Sequence, residues 1–310
     1  MNLDSMRDIL AAAQREEKEL WEIILETDMG NRGVTKAASM AKMAEAWHAM
    51  LEASKTYTGQ RRSNSGLVGG QGARMREYAA AHETIGGDFT AQVIAEALAM
   101  GESNACMRRI VAAPTAGACG VMPAVLIPLY RKENIPEERM LQALFVASGI
   151  GAVIAYRACI SGAAGGCQAE IGSASAMAAG ALVTLRGGTP EQVCNAVAMA
   201  LKNLMGLVCD PVAGLVEVPC VKRNVIGAMN AIAAADMALA GVASCVPVDE
   251  VIDAMGEVGR RLPVEFRETA MGGLAVTPTG KAVKARLASS RKKQRTLTIK
   301  DAKFHITKTV

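Results

Sequence analysis

The apolar residues of this chain recur at helical spacing almost throughout, and segments in which apolar and polar residues alternate are scarce. The one tempting strand, residues 214–218, is short. Aromatic residues make up only 3% of the chain, whereas Ala, Gly and Met are abundant, which is typical of helices that pack closely through small side chains. We therefore predict an all-α fold, a compact bundle of small-residue-rich helices.

Local capping signals predict several helix boundaries. Thr189-Pro190-Glu191-Gln192 is a capping box with proline at the first helical position, and it predicts a helix that runs to about Leu204. Pro136 is expected to open another helix, and a third is expected to begin after Asp88 and to end at Gly101.

The N-terminal part of the chain carries amphipathic patterns. Apolar residues at helical spacing predict one helix over 5–27 and a second over 35–57, which we interpret as a helical hairpin within residues 1–58. This hairpin is expected to belong to a single catalytic domain over 1–287, followed by a basic tail over 288–310.

The net charge of +4 is unevenly distributed, because the segment Arg286–Val310 alone carries +7. The body of the chain is therefore mildly acidic. The basic segment is short and contains one aromatic residue, so we interpret it as a solvated terminus and expect no nucleic-acid partner.

The uncharged run Ile110–Tyr130 is long enough to cross a bilayer but contains Pro114, Pro123 and Pro128. We interpret it as a buried segment and expect no membrane partner. The N-terminus lacks a basic region followed by an apolar stretch, and eight cysteines without a secretion signal favour reduced thiols in the cytoplasm.

Three cysteines, Cys167, Cys209 and Cys220, lie in glycine- or proline-containing segments, each at the predicted end of a helix. The helices that follow Cys167 and Cys220 are predicted over 171–185 and 224–240. Three thiolates in irregular backbone can hold three irons of a [4Fe–4S] cluster and leave the fourth without a protein ligand. Buried cysteine is more often simple packing, and the separations of these residues fit neither zinc ribbons nor ferredoxin motifs. The residues alone leave both interpretations open. The other cysteines are interpreted as packing residues, with Cys119 intermediate: Cys106, Cys119, Cys159, Cys194 and Cys245.

Five longer strings along the chain carry a family resemblance. In order, they are SGLVGGQGARM, APTAGACGVMPAV, SGAAGGCQAEIGSASAMAAGAL, NLMGLVCDPVAGLVEVPCVKRNVIGAMNA and GGLAVTPTGKAV. Together they resemble the alpha subunit of bacterial iron–sulfur-dependent L-serine dehydratases, and the resemblance covers roughly residues 1–287. It implies that Cys167, Cys209 and Cys220 hold a [4Fe–4S] cluster and that the chain converts L-serine to pyruvate and ammonia.

The implied reaction needs an electrophile on the hydroxyl oxygen and a base near Cα. An open iron supplies the electrophile. Pyridoxal phosphate is not expected, because no lysine is paired with a phosphate-binding glycine loop. The histidines His48, His82 and His305 do not suggest a base. We therefore expect the base to come from a beta subunit, as the family implies, and the active site to lie at the interface of a hetero-oligomer.

Two hydroxyl and glycine pairs are the predicted substrate contacts. Ser65 with Gly66, and Thr115 with Gly117, offer hydroxyls and backbone N–H groups that suit a small zwitterion. Residues 222–224, next to Cys220, are candidates for orienting the carboxylate or for a structural role at a helix start.

Two alternative functions stay open at this point. An iron–sulfur L-cysteine desulfidase resembles the same cluster-binding domain and eliminates sulfide instead of water. A non-enzymatic helical interaction protein with buried cysteines is the alternative of a different class.

Overall fold

A computed structural model describes residues 4–290, and these residues form α-helices and no β-strand. The predicted all-α fold is confirmed. Short 3₁₀ turns lie at Val212–Gly214, Val264–Phe266 and Gly273–Val276. The helices are α1 Met6–Glu16, α2 Leu20–Arg32, α3 Lys36–Lys55, α4 Gln71–Ala81, α5 Gly87–Ala105, α6 Val121–Glu133, α7 Glu137–Arg157, α8 Gly162–Gly165, α9 Cys167–Leu185, α10 Pro190–Asn203, α11 Cys220–Leu239, α12 Val248–Arg261 and α13 over 278–290.

Helix α9 is the centre of the bundle and packs against α7, α10, α11 and α6. Its residues from Ile171 to Val183 are all buried. The close approach of α7 depends on Gly180, where an added methyl group would overlap the side chain of Ile150. Small residues thus allow backbones to pack tightly, as the composition suggests.

The first predicted helix is wrong in one respect, because the chain breaks between α1 and α2. Glu17 adopts a left-handed conformation (φ 52°) and caps α1 by donating to carbonyls of its last turn. Glu19 and Glu22 form a reciprocal capping box that starts α2. After the break, α2 runs in a direction that buries Ile23 and Ile24 in the core, where α2 packs against α7. A glutamate in place of Ser, Thr, Asp or Asn at the N-cap concealed this boundary.

Other boundaries follow the local signals more closely. The Thr189 capping box of α10 is confirmed, and Pro136 directly precedes α7. Helix α5 continues past Gly101 to Ala105, because an absent side chain at Gly101 allows contact with Val221 of α11. The segment 214–218, whose alternation is the one tempting strand pattern, forms no strand: it begins with the last residue of the 3₁₀ turn Val212–Gly214 and is mostly turn.

The run Ile110–Tyr130 leads into α6, which is buried from Val121 to Leu129 and contains Pro128. One helix of the described residues, α7, is long and apolar enough to span a membrane by length and composition. In the structure 67% of its most apolar window is buried inside the protein, as in the core helix of a globular domain. The predicted tail from residue 288 falls outside the described residues, apart from the last turn of α13.

Two irregular segments meet at the N-terminal ends of α9 and α11. The first, 204–219, connects α10 to α11, and the second, 262–277, follows α12. The Cys209 N–H donates to the carbonyl of Phe266 (2.9 Å), and the Glu268 N–H donates to the carbonyl of Cys209 (3.1 Å). These two bonds fix both segments beside the first turn of α9.

Candidate active site

The fold places all three predicted cysteines in buried positions in this region. Cys167 is the first residue of α9 and Cys220 the first of α11, each four residues earlier than the sequence predicts. Cys209 lies in the connecting segment. The exposed fraction is only 1% for Cys167, 6% for Cys220 and 3% for Cys209. The three thiols are close enough to shift one another's pKa, so the structure gathers them at one site.

The three thiols differ in acidity. A hydrogen bond from the Cys209 thiol and the positive charge of Arg223 lower the pKa of Cys167. That same hydrogen bond and burial raise the pKa of Cys209, and burial raises the pKa of Cys220 to about 12. Cys167 is therefore the thiol of the three that most readily loses its proton, whereas Cys209 and Cys220 favour the protonated form.

Arg223, on the first turn of α11, holds this arrangement together. Its guanidinium donates to the Cys167 sulfur (3.2 Å) and to the carbonyl of Val208 (2.8 Å), and it forms an ion pair with Asp210 (2.8 Å). The second oxygen of Asp210 accepts from the backbone N–H of Leu274 (2.8 Å). The guanidinium of Arg223 thus connects the segment 204–219 to the Cys167 sulfur, and its partner Asp210 extends the connection to the segment 262–277. Its neighbour Lys222 is exposed.

Glycines make the close approach of the thiols possible. A side chain at Gly162 would lie 3.1 Å from the Cys209 sulfur. Gly166 has φ 75° and ψ 179°, a combination that is essentially restricted to glycine, and it lets α9 begin directly at Cys167. Gly166 is therefore required by backbone geometry, and Gly162 by the space that the Cys209 sulfur occupies.

The predicted substrate residues Thr115 and Gly117 lie against the half-buried carboxylate of Glu170. The Thr115 hydroxyl donates to Glu170, which is one turn along α9 from Cys167. A side chain at Gly117 would lie 2.5 Å from Glu170 Oε1. Asn224 holds this loop in place by donating to the carbonyl of Gly117 (2.8 Å). Burial raises the pKa of Glu170.

Ser65 and Gly66 lie in a second loop beside the start of α11. The hydroxyls of Ser63 and Ser65 both donate to Glu217 Oε2, at 2.7 and 2.5 Å. Glu217 precedes Cys220 by three residues and is buried. Gly66 is exposed, with a left-handed backbone (φ 74°). The Ser65 hydroxyl is thus committed to a carboxylate within the protein.

Sequence reasoning missed the carboxylates Glu170, Glu217 and Asp210. The available signal was spacing, because Glu170 follows Cys167 by three residues and shares its helix face. The two histidines that the structure describes lie elsewhere: His48 pairs with Glu137 (3.0 Å) on the surface, and His82 is exposed at the end of α4. His305 lies outside the described residues.

The residues at this site fit an iron–sulfur cluster by the chemistry of their donors. All three candidate ligands are buried sulfurs, and two of them begin helices, where backbone N–H groups favour negative charge. Within residues 4–290 no three His, Cys, Asp or Glu side chains converge closely enough to hold a single metal ion. A cluster imposes a different requirement, because each thiolate binds its own iron.

The fold and the site define an all-helical protein with a buried three-cysteine centre flanked by carboxylates. Residues 15–275 match the serine dehydratase alpha chain family, and the chain belongs to that family.

Its curated relatives are enzymes by name. The chain is 52% identical over 225 residues to a probable L-serine dehydratase alpha chain of Bacillus subtilis (strain 168), covering 73% of this chain and 75% of that one. It is 42% identical over 283 residues to the L-serine dehydratase alpha chain of Peptoniphilus asaccharolyticus, covering 91% and 97%. It is also 48% identical over 182 residues to a longer L-serine dehydratase of Escherichia coli (strain K12), covering 58% of this chain and 40% of that one.

Proposed function

We propose that this chain is the catalytic subunit of an L-serine dehydratase, which converts L-serine to pyruvate and ammonia with the help of a [4Fe–4S] cluster. The names of its relatives support the substrate and the reaction. The observation that carries the cluster is the meeting of three buried thiols at the first turns of α9 and α11.

Cys167, Cys209 and Cys220 are the residues that would hold the cluster. When bound, the cluster supplies a Lewis acid for the departing hydroxyl group. The hydrogen bond from Cys209 and the positive charge of Arg223 lower the pKa of Cys167, and Arg223 also anchors the segment that carries Cys209. The cysteines described by the structure are all free thiols, as a reducing cytoplasm would maintain them.

Thr115, Gly117, Ser65 and Gly66 serve the site by shaping its walls. Thr115 and Gly117 surround the Glu170 carboxylate, and Ser65 fixes Glu217 beside the start of α11. A small zwitterion bound between these loops would bring its ammonium group near the Glu170 carboxylate.

A beta subunit is proposed as the partner. The chain matches only 40% of the longer Escherichia coli relative, so a second polypeptide would supply what that relative carries in one chain. Apolar side chains are exposed on the segment next to Cys209, at Val264, Met271 and Leu274. Their burial by a partner would exclude water from the site.

The test is anaerobic purification, reconstitution with iron and sulfide, and assay with the beta chain. We expect four irons per alpha chain and pyruvate from serine. Hydrogen sulfide from cysteine without pyruvate from serine would identify a desulfidase instead. A colourless protein that takes up no iron would favour a non-enzymatic interaction protein.

A further inference from the structure

We propose that the cavity at the C-terminal end of α5 is a binding site for a small oxyanion, a carboxylate or a phosphate, separate from the thiol centre. Three arginines, Arg61, Arg108 and Arg109, line this one cavity. The site goes beyond the proposed function, and only its effect on turnover rests on that function.

The cavity lies between two loops of the fold. Loop 56–70 connects α3 to α4 and contributes Arg61, whereas loop 106–120 connects α5 to α6 and contributes Arg108 and Arg109. The last turns of α3 and α5 complete the walls, and the volume is about 200 Å³. Pockets for drug-sized ligands measure about 300–1,000 Å³, so this cavity suits a smaller molecule.

A left-handed residue directs two of the arginines to the cavity. Met107 has φ 57°, which is uncommon for a residue with a side chain, and its own side chain is exposed. The chain thereby turns back at the end of α5, where the Arg108 N–H donates to the carbonyl of Ser103 (2.8 Å). Ser103 is buried and lines the cavity. The turn thus holds Arg108 and Arg109 beside the last turn of α5.

The charges of the three arginines are not neutralised by the protein. Within residues 4–290 none of their guanidinium groups forms an ion pair or donates a hydrogen bond. Arginine keeps its proton at any ordinary pH, so these charges repel one another while the cavity holds no anion. The guanidinium fork matches the oxygens of a carboxylate or phosphate with two parallel hydrogen bonds. An oxyanion therefore satisfies both the charges and the donors of this cluster.

Two glutamates also line the cavity but do not remove the excess of positive charge. Glu102 is buried and accepts from the Tyr57 hydroxyl (2.6 Å) and from the N–H groups of Gln71 (2.8 Å) and Gly72 (3.4 Å). Its charge thus faces the N-terminus of α4, where an anion is favoured. Glu52 is exposed and pairs with none of the three arginines. One arginine charge more than the two glutamates can balance is left for a ligand.

A second cavity of the molecule shows the opposite balance. Arg7 and Arg157 line it together with three acidic residues, and Arg157 pairs with Asp253 (2.5 Å). Because its cations are compensated, we expect no anion there. Arg7 is exposed, so its replacement removes one charge without touching the proposed site.

An anion in the proposed site would contact both loops that carry the predicted substrate residues. Ser65 and Gly66 follow Arg61 on loop 56–70, and Thr115 and Gly117 follow the other two arginines on loop 106–120. A ligand held by guanidinium groups from both loops fixes their separation and favours one arrangement of the two. We therefore expect the bound anion to lower KM for serine.

The direct test is calorimetric titration of the full chain with inorganic phosphate and, separately, with acetate. We expect one-to-one binding that weakens as the salt concentration rises, and the tighter ligand tells which oxyanion the site takes. Arg61→Gln and Arg109→Gln, one from each loop, should each weaken binding about 10-fold to 100-fold. Arg7→Gln is the matched control and should leave it unchanged. No saturable binding of either anion, or equal weakening by Arg7→Gln, would overturn the site.

Loss of folding is easily distinguished from loss of the site. The replaced arginines are exposed, so the urea midpoints of Arg61→Gln and Arg109→Gln should match that of the unaltered chain. Weakened binding that appears only together with a lowered midpoint would contradict a direct contact between these arginines and the anion.

A second measurement separates this site from the thiol centre and from a subunit interface. With the beta chain present, the tighter anion should lower KM for serine in the unaltered enzyme and not in Arg109→Gln. A competitive rise in KM would overturn the proposal, because the anion would then occupy the place of the substrate. Loss of anion binding on addition of the beta chain would also overturn it, since the arginines would then belong to the interface. Absence of serine turnover would reject the proposed function, while the titration still decides the site.

Discussion

Two regions of the molecule bury a cysteine to a similar degree and give it opposite chemistry. Cys194, on α10 against the core, is 9% exposed, and burial raises its pKa to about 12. Cys167, at the first turn of α9, is 1% exposed, yet its pKa is lowered by the Cys209 hydrogen bond and the charge of Arg223. Burial alone therefore does not decide thiol chemistry. The low dielectric penalises a lone thiolate and strengthens one that is paired.

The largest contrast should appear when cysteines of the two regions are replaced by alanine. Cys167→Ala, Cys209→Ala and Cys220→Ala should each prevent stable binding of the cluster and abolish serine turnover, because each removes one of its three ligands. Cys194→Ala should keep iron and activity and lose only about 1 kcal/mol of unfolding free energy. Iron analysis and pyruvate assay are the measurements. A Cys209→Ala protein with full iron content and activity would contradict the assignment.

Replacement of Arg223 tests whether its buried ion pair holds the region around Cys167 together. Arg223→Gln breaks an ion pair with Asp210 whose side chains are 14% and 5% exposed. We expect a loss of about 3 kcal/mol in unfolding free energy, because Asp210 stays buried without its partner. Arg261→Gln is the control, since its pair with Glu257 is exposed and contributes at most about 0.5 kcal/mol. Urea unfolding at matched iron content measures the unfolding free energy of both variants. Equal losses for Arg223→Gln and Arg261→Gln would show that the Arg223 ion pair contributes no more than a surface pair.

Added methyl groups probe the space around the thiols. Gly162→Ala would place a Cβ 3.1 Å from the Cys209 sulfur and 3.4 Å from Glu268 Oε2, so the sulfur must move by a few tenths of an ångström. We expect the affinity for the cluster to fall about 10-fold to 100-fold, as when supporting contacts of a metal site are lost. Iron loss to a chelator over time measures this. Retention at the rate of the unaltered protein would mean that the sulfur has room to shift.

The smallest effect is expected in the interior of α9. Gly172→Ala would place a Cβ at 3.8 Å from Leu201 and 3.9 Å from Leu204, which is ordinary contact. Alanine is favoured over glycine within a helix, so we expect a gain of about 0.5–1 kcal/mol in thermal or urea unfolding. Iron content should not change. A loss of stability would show that this part of the core is packed more tightly than its distances indicate.

Local signals predicted the helical elements well wherever a cap is encoded nearby. The capping box at Thr189 and the proline before α7 identified those helices from adjacent residues. The starts of α9 and α11 were placed four residues too late, because Gly166 and Pro219 offer no side-chain cap. The break at Glu17 was missed because the N-cap of α2 is Glu19, which is not among the residues that usually mark a helix start.

The candidate site was only partly accessible to sequence reasoning. The three cysteines were identified by their irregular segments and by a family resemblance. Glu170 was not, because its significance depends on Thr115, 55 residues earlier in the chain, and on Gly117. Glu217 was missed for the same reason, since the hydroxyls it binds are about 150 residues away, on Ser63 and Ser65.

The sequence by itself determined the helices and their small-residue packing, because helical periodicity, caps and composition act over neighbouring residues. The three cysteines were selected by the family resemblance of the strings around them. Only the tertiary structure decided which cysteine becomes acidic and which carboxylate lies beside it. Those properties depend on Arg223, Asp210 and Glu170 meeting Cys167 across segments that are far apart in the chain. Electrostatic effects of this kind act through space, so the local pattern of residues does not encode them.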